Sequence, residues 1–174
     1  RNFIKTSTVL AAGSVLSIEA LSKACAPVSA SDKVRVGLVG GNSMGWSDLE
    51  SFLKNPEVEC VAICDVDRDV LNRRAENVVK LGRPVPKLYV NYRKMLENKD
   101  IDAVIVGTPD HWHCLVYCDA LSAGKHVYVE KPMTHNISET YALRETVFNN
   151  PKAIFAVGHQ HRQTQSFLTA QDVI

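Results

Sequence analysis

The stretch of residues 102–132 constrains the fold of this chain more than any other part of the sequence. An apolar run of strand length, residues 103–106, is followed by a Gly-Thr-Pro turn and a segment of helical character over residues 110–123. A second apolar strand, residues 126–129, leads directly into Glu130-Lys131-Pro132. This order predicts a β-turn-α-β unit with ionisable groups where each strand ends. Because ligands bind at the carboxyl ends of parallel strands, those groups are the first candidates for chemistry.

The rest of the chain after residue 30 continues the alternation of strands and helices. Apolar, β-branched runs predict strands over residues 31–39, 58–64, 88–90 and 153–157. Helical spacing predicts helices over residues 46–54, 67–81, 92–96 and 138–149. Parallel strands need crossover connections, so this pattern predicts an α/β fold with a doubly wound parallel sheet covered on both faces. A length of 174 residues suits one such domain.

The first thirty residues have the composition of an export signal. Arg1-Asn-Phe-Ile-Lys5 precedes a run of small and apolar residues over 8–18. Val28-Ser29-Ala30 then has the small residues of a signal-peptide cleavage site. The run is too short and too interrupted to span a membrane as a helix. The opening resembles the second half of a twin-arginine signal, and an ordinary amphipathic helix is the alternative. The first interpretation predicts a mature chain from about Ser31 in a bacterial periplasm; the second leaves it cytoplasmic.

The charge balance narrows the class of partner. The formal net charge is +1, and 22% of the residues are charged with both signs interspersed. Such a balance gives no electrostatic basis for binding nucleic acid or a membrane surface. We therefore expect a small-molecule partner.

The cysteines do not predict a disulfide framework. Cys60 and Cys64 are four residues apart in a predicted strand, a separation of about 13 Å that is beyond bridging distance. Cys114 and Cys118 are one helical turn apart, a spacing that would also suit a metal pair. We interpret all four as free thiols packed like small hydrophobic side chains.

A glycine-rich turn after the first strand predicts a dinucleotide site. Gly40 and Gly45 have the spacing of the outer glycines of such a turn, with Gly41 between them and Asn42 in the middle position. Glycine allows the tight bend and the close approach of the pyrophosphate to the helix N-terminus. Asn tolerates the left-handed backbone, so we expect Asn42 to keep the bend while its side chain crowds the phosphate.

Asp65 strengthens that prediction. It lies twenty residues past Gly45, at the end of the second strand, where an acidic side chain binds the ribose hydroxyls. A carboxylate repels a 2′-phosphate, so Asp65 favours NAD, whereas Arg68 nearby would partly offset that repulsion and leaves NADP open. The alternative for Asp65 is a turn residue or the N-cap of the helix at Asp67.

Several motifs together resemble the glucose-fructose oxidoreductase, inositol dehydrogenase and MocA family. They are the glycine turn, Cys64-Asp65-Val66-Asp67, Gly107-Thr-Pro-Asp-His-Trp-His113, Ala123-Gly-Lys-His126 and Glu130-Lys131-Pro132, in this order and spacing. The resemblance implies a Rossmann dinucleotide-binding domain over residues 31–163. It also implies that residues 164–174 begin the connection to a C-terminal α/β substrate domain absent from this sequence. That domain usually makes the oligomer contact, so the full-length protein is expected to be a homo-oligomer.

The resemblance also implies roles for individual side chains. Lys131 would lie near the nicotinamide and the substrate, with Glu130 against the cofactor and Pro132 in a rigid, cis turn. Lys131 and His113 are the predicted catalytic residues, and Lys131, His159 and Arg162 would face the substrate. The alternative for Lys131 is a surface lysine paired with Glu130. The predicted cofactor-binding residues are Gly40, Gly41, Asn42, Gly45, Asp65, Arg68, Thr108, Pro109, His111, Glu130 and Lys131.

Two His-x-His pairs, His111 with His113 and His159 with His161, have a spacing found in zinc sites. No carboxylate or thiolate ligand is tied to them in the sequence, so we predict no metal.

The predicted function is that of an NAD(P)-dependent oxidoreductase acting on a sugar, polyol or glycoside. Two alternatives remain open. One is a nucleotide-binding module that is incapable of turnover alone. The other is an NAD-dependent glycoside hydrolase that cleaves its substrate through transient oxidation.

Overall fold

A computed structural model describes residues 33–160, 162 and 164–173. Its sheet has six strands in the order β3-β2-β1-β4-β5-β6, and every neighbouring pair is parallel. The doubly wound parallel sheet is therefore confirmed. The predicted export signal lies outside the described residues. The strands are β1 (Val34–Val39), β2 (Val58–Cys64), β3 (Lys87–Tyr89), β4 (Ala103–Val106), β5 (His126–Glu130) and β6 (Phe155–Gly158).

Helices cover both faces of the sheet. Two hydrophobic cores form, one where α1 and α2 pack on the sheet and one where α3, α4 and α5 do. No helix in the described part of the chain is both long and apolar enough to cross a membrane. The helices are α1 (Ser43–Phe52), α2 (Arg68–Lys80), α3 (Tyr92–Leu96), α4 (His113–Ser122), α5 (Ile137–Asn149) and α6 (Gln165–Val173).

A bulge in β2 decides where its cysteines lie. The register with β1 moves from the pair Val36 and Cys60 to the pair Gly37 and Ala62, so Val61 is left unpaired. Cys60 consequently packs in the core under α1 and α2, whereas Cys64 packs in the other core. Both thiols are free and buried, as predicted, and burial raises the pKa of each to about 12.

The start of α5 differs from the sequence prediction. Asn136, not Ser138, is the N-cap, because its side-chain oxygen accepts a 3.1 Å hydrogen bond from the Glu139 backbone amide. Glu139 in turn accepts a 2.6 Å bond from the His135 amide. The arrangement is similar to a capping box, except that Glu139 binds the amide of the residue before the N-cap and not that of Asn136 itself.

Three other boundaries also shift. The predicted helix over residues 110–123 opens with a 3₁₀ turn, Asp110–Trp112, and α4 begins only at His113. β6 begins at Phe155, two residues later than predicted, and β5 runs one residue further, to Glu130.

The Ala123-Gly-Lys-His126 motif has a structural role in this fold. Gly124 has a φ of +75° just past α4, which L side chains rarely adopt. Lys125 is buried and donates hydrogen bonds to the carbonyl oxygens of Ile101 at 2.8 Å and Asn98 at 3.0 Å. His126 Nδ1 accepts a 2.9 Å bond from the Ile154 amide. These contacts fix the amino end of β5, opposite the edge where the site lies.

Candidate functional site

Three glycines bring the end of β1, the start of α1 and the end of β4 into close contact. Gly40 has a φ of +88°, and a Cβ on it would lie 2.7 Å from the Gly107 carbonyl carbon. A Cβ on Gly45 would collide with Gly40 O and lie 3.1 Å from Gly107 Cα. All three positions therefore exclude a side chain, and a smooth backbone cradle results. Gly107 was not among the predicted site residues, although it stands in the Gly-Thr-Pro motif.

Asn42 does not adopt the left-handed backbone expected of it. Asn42 is extended, with a φ of −96° and a ψ of 165°, whereas Ser43 has a φ of +41°. α1 begins at Ser43, three residues earlier than predicted. The Asn42 side chain makes no cap hydrogen bond to α1; its oxygen accepts a 3.3 Å bond from Arg73 instead. The first-turn amides of α1 thus remain available to an anion.

Asp65 links the glycine turn to the end of β2. Its Oδ2 accepts a 2.8 Å hydrogen bond from the Gly41 amide, and its Oδ1 accepts a 3.0 Å bond from the Asp67 amide. Asp67 caps α2 by accepting bonds from the Asp69 and Val70 amides, so the N-cap alternative for Asp65 is wrong. The alternative of Asp65 as a turn residue agrees with the structure, because its carboxylate accepts bonds from two backbone amides. Each carboxylate oxygen retains a lone pair for a further donor.

Two arginines of α2 lie behind the turn. Arg74 donates a 2.6 Å bond to Gly41 O, and its guanidinium carbon lies 4.7 Å from the centroid of the Trp46 ring. Burial, and then the neighbouring Arg73, lowers the pKa of Arg74 below its usual range. These two charges were not found from the sequence. The predicted Arg68 is exposed at the first position of α2.

A cleft of about 410 Å³ opens where β1, β2 and β4 end. Thr108 Oγ1 is buried without a hydrogen-bond partner in the described part of the chain, so it offers a polar contact to a ligand. The Tyr92 hydroxyl, on the opposite wall, donates a 2.8 Å bond to Asp119. His111 is exposed and does not line this cleft, although we predicted it to bind the cofactor. The predicted residues in the lining are Gly40, Asp65, Thr108 and Pro109; Tyr92 and Trp112 join them.

His113 is a structural bridge. It is 2% exposed, its Nδ1 lies 2.7 Å from Pro132 O and its Nε2 lies 2.7 Å from Thr108 O. Which ring nitrogen donates its hydrogen bond depends on the tautomer of the imidazole. With both nitrogens on backbone carbonyls, the ring has no atom left for a substrate. His113 therefore joins the Gly-Thr-Pro and Glu-Lys-Pro turns in this structure, and its catalytic role stays a prediction.

A second cavity, of about 460 Å³, gathers the predicted substrate residues. Lys131, His159 and Arg162 line it together, with Gln160 and Phe167 from the segment after β6 and from α6. Lys131 is exposed, and the Lys131-Pro132 peptide bond is cis, as the resemblance implied.

Glu130 does not pair with Lys131. It is 4% exposed, and its carboxyl group lies in hydrogen-bonding reach of the Asp48 carboxyl. Burial, and then the charge of Glu130, raises the pKa of Asp48 to about 6. The alternative of Lys131 as a surface partner of Glu130 is therefore wrong. Asp48, from α1, was not identified from the sequence because nothing in the helical pattern marks it.

The His-x-His pairs do not come together as a metal site in the described residues. Both ring nitrogens of His113 are occupied, and His161 lies outside the described residues. Residues 33–160, 162 and 164–173 contain no group of three or more His, Cys, Asp or Glu side chains arranged around a common point.

The geometry agrees with the known proteins that this chain resembles. Residues 34–159 match the family model described as an oxidoreductase family with an NAD-binding Rossmann fold. An α-N-acetylgalactosaminidase from Shewanella oneidensis is 33% identical over 87% of this chain and 37% of its own length. A glycosyl hydrolase family 109 protein from Shewanella baltica is 34% identical over the same shares. This chain thus spans little more than a third of the length of these relatives.

Solved structures give the same fold. The scyllo-inositol dehydrogenase from Lactobacillus casei, with bound NAD(H) and scyllo-inositol, superposes with a TM-score of 0.73 at 25% identity. The alignment covers 81% of this chain and 40% of the dehydrogenase. The myo-inositol 2-dehydrogenase from Lactobacillus plantarum has a TM-score of 0.72 at 26% identity, over 81% and 40% of the two chains.

Proposed function

The chain belongs to the glucose-fructose oxidoreductase, inositol dehydrogenase and MocA family, and from that premise we propose what the whole protein does. It is an NAD(P)-dependent oxidoreductase that transfers a hydride to or from a sugar, polyol or glycoside, and this chain is its nucleotide-binding half. One observation supports this most strongly. The glycine cradle with Asp65 and the cavity with Lys131 lie along the same carboxyl edge of the sheet.

The described residues fit a dinucleotide. The cradle formed by Gly40, Gly45 and Gly107 has no side chain to obstruct a pyrophosphate, and the uncapped first turn of α1 supplies amide donors. Asp65 offers carboxylate lone pairs to ribose hydroxyls, and the unpartnered Thr108 Oγ1 offers a further polar contact. When bound, NAD supplies the hydride chemistry itself.

Lys131 handles the proton of the substrate hydroxyl in this proposal. Its exposed side chain enters the second cavity, where His159 and Arg162 provide hydrogen bonds that orient a hydroxylated substrate. His113 holds the peptide that carries Lys131 against the Gly-Thr-Pro turn, so the proton-handling group and the cofactor wall keep a fixed distance.

Net hydrolysis of a glycoside is the second candidate. It is favoured by the names of two relatives, an α-N-acetylgalactosaminidase and a glycosyl hydrolase family 109 protein, each about a third identical to this chain. That reaction would oxidise the substrate only transiently and would leave the bound NAD without net change. Both candidates use the same nucleotide site.

A turnover assay of the full-length protein tests these proposals. The protein is incubated with NAD and a panel of sugars, polyols and N-acetylgalactosaminides, while NADH absorbance and free sugar are followed. NADH accumulation supports net oxidation, and free sugar released only in the presence of NAD supports hydrolysis. Lys131→Met should abolish either reaction and leave NADH binding intact. Tight NADH binding with neither product from any substrate would contradict both proposals and favour a binding module.

We also propose that the mature protein begins near Ser31, is exported to the periplasm and assembles as a homo-oligomer. The twin-arginine-like residues at the start of the chain and the family resemblance support this. Fractionation of the native cells, followed by light scattering of the purified protein, tests both statements; a cytoplasmic monomer would contradict them.

A further inference from the structure

The helix α1 and the strand β5 face each other through two pairs of side chains. The rings of Phe52 and Tyr128 pack edge to face, with centroids 5.2 Å apart. Asp48 precedes Phe52 by one helical turn, and Glu130 follows Tyr128 by two residues on the same face of the strand. The aromatic contact therefore sets the two elements so that the carboxyl groups of Asp48 and Glu130 meet.

Much of the carboxyl pair, Asp48 and Glu130, is shielded from water. Glu130 is 4% exposed and pairs with Gly158 in the neighbouring strand β6. A Cβ on Gly158 would lie only 2.7 Å from Glu130 Oε1, so the carboxyl group packs directly on the β6 backbone. On the other side, Asp48 Oδ2 is buried and accepts no hydrogen bond from any described residue.

No positive charge compensates these two acids within the described residues. No lysine, arginine or histidine forms an ion pair with either carboxyl group. The titratable groups that face one another are Asp48 from α1, and Tyr128 and Glu130 from β5; β6 contributes only Gly158. Two ionised carboxylates within hydrogen-bonding reach would repel each other and leave the buried Asp48 Oδ2 without a donor.

We propose that Asp48 and Glu130 share one proton, and that Asp48 is the positioning residue that holds Glu130, and with it the Lys131 turn, in place. A neutral Asp48 carboxyl donates a hydrogen bond to the Glu130 carboxylate, which gives the buried oxygen its missing partner. The end of β5 then carries one negative charge instead of two. The direction in which burial and Glu130 shift the pKa of Asp48 agrees with this arrangement.

The consequence for the cofactor rests on the proposed function. When the shared proton is lost, the second charge repels Glu130 and loosens the turn that His113 ties to the cofactor wall. NADH affinity should therefore fall by about two- to fivefold as the pH rises through the titration of the pair. A carboxyl group that only fills space would produce no such dependence.

Carbon-13 NMR titration of side-chain carboxyl groups tests the shared proton directly. In the wild-type chain, loss of the shared proton should appear as a step near pH 6 that is common to the Asp48 and Glu130 signals. Asp48→Asn should remove this step from the Glu130 signal. Glu50→Gln, which removes an exposed acid from the same helix, should retain it. Independent titration of both groups in the ordinary acidic range would overturn the proposal, as would a step that persists in Asp48→Asn.

NADH affinity measured across the same pH range tests the positioning role. Asp48→Asn keeps a donor to Glu130 at every pH, so it should bind with the low-pH wild-type affinity and without pH dependence. Asp48→Leu should bind weakly throughout. Wild-type pH dependence in Asp48→Asn, or equal affinities of the Asn and Leu variants, would contradict the role. Absence of NADH binding in every variant would contradict the proposed function, and the NMR titration of the wild-type chain would still decide whether the proton is shared.

Discussion

The Gly41 amide donates a 2.8 Å hydrogen bond to Asp65 Oδ2, which ties the turn after β1 to the end of β2. β1 lies at the centre of the sheet, with β2 and β3 on one side and β4, β5 and β6 on the other, so the strand order reverses beside β1. A crevice opens outside the strand ends where the strand order reverses. The bond therefore fixes one wall of the cleft that we assign to the nucleotide.

Asp65→Ala should weaken NADH binding more than NADPH binding. The substitution removes the bond to Gly41 and the carboxylate that would accept ribose hydroxyls, a loss of about tenfold or more in NADH affinity. NADPH should lose less, because removal of the negative charge relieves repulsion of the 2′-phosphate. Fluorescence titration with each cofactor measures the difference.

Asp69→Ala is the matched control, since it removes an exposed acid from the first turn of α2. It should leave both affinities unchanged. If Asp65→Ala behaves like this control, Asp65 only shapes the turn and does not contact the cofactor.

Gly45→Ala should destabilise the fold by about 3 kcal/mol through overpacking. The added Cβ would collide with Gly40 O and crowd Gly107 Cα, and neither backbone atom can yield without moving β1 or β4. Gly124→Ala is the control: its φ is +75°, but nothing lies within 4 Å of the added carbon. It should cost about 1 kcal/mol from backbone strain alone. Urea unfolding of both variants gives the comparison, and equal costs would mean that the glycine contact is loose.

His113→Leu should lower the free energy of unfolding by about 2–4 kcal/mol, because leucine replaces a buried imidazole that contacts Thr108 O and Pro132 O and can donate to neither. His111→Gln, at an exposed position two residues earlier, should change it by less than about 0.5 kcal/mol. Denaturant titration decides between a bridge and a catalytic residue. A stable His113→Leu protein that has lost only turnover would restore the catalytic interpretation.

The pH dependence of stability reports on Asp48. Its folded pKa of about 6 is higher than the ordinary value for Asp, so its stabilising effect is complete below about pH 4 and is lost as the pH rises towards 6. The Asp48 side chain is only half-buried, and solvent screening reduces the effect to about 1 kcal/mol. Asp48→Asn should remove this part of the pH dependence in urea unfolding. An unchanged slope between about pH 4 and pH 7 would show that Asp48 titrates normally.

Periodicity and turn chemistry predicted most of the fold. Apolar runs of strand length gave the six strands, because a buried parallel strand needs such a run on both faces. Boundaries moved where a side chain competed with the helical pattern, as when Asn136 replaced Ser138 as the cap of α5. The bulge at Val61 left no sequence signal, since its immediate neighbours Cys60 and Ala62 are ordinary small residues of a buried strand.

The site was predicted where local sequence sets the chemistry, as at Gly40, Gly45 and Asp65. It was missed where contacts depend on tertiary packing. Asp48 meets Glu130 only because α1 packs across β5, and Gly107 matters only because β4 lies beside β1. At His113 the motif identified an important side chain, but only the fold shows that both ring nitrogens contact backbone carbonyls.

Titration of this chain with NADH, followed by cofactor fluorescence, tests the central claim most directly. We predict saturable binding at one site, weakened at least about tenfold by Asp65→Ala and unaffected by Asp69→Ala. A folded wild-type chain that shows no saturable NADH binding would contradict the assignment of the cleft at the ends of β1, β2 and β4.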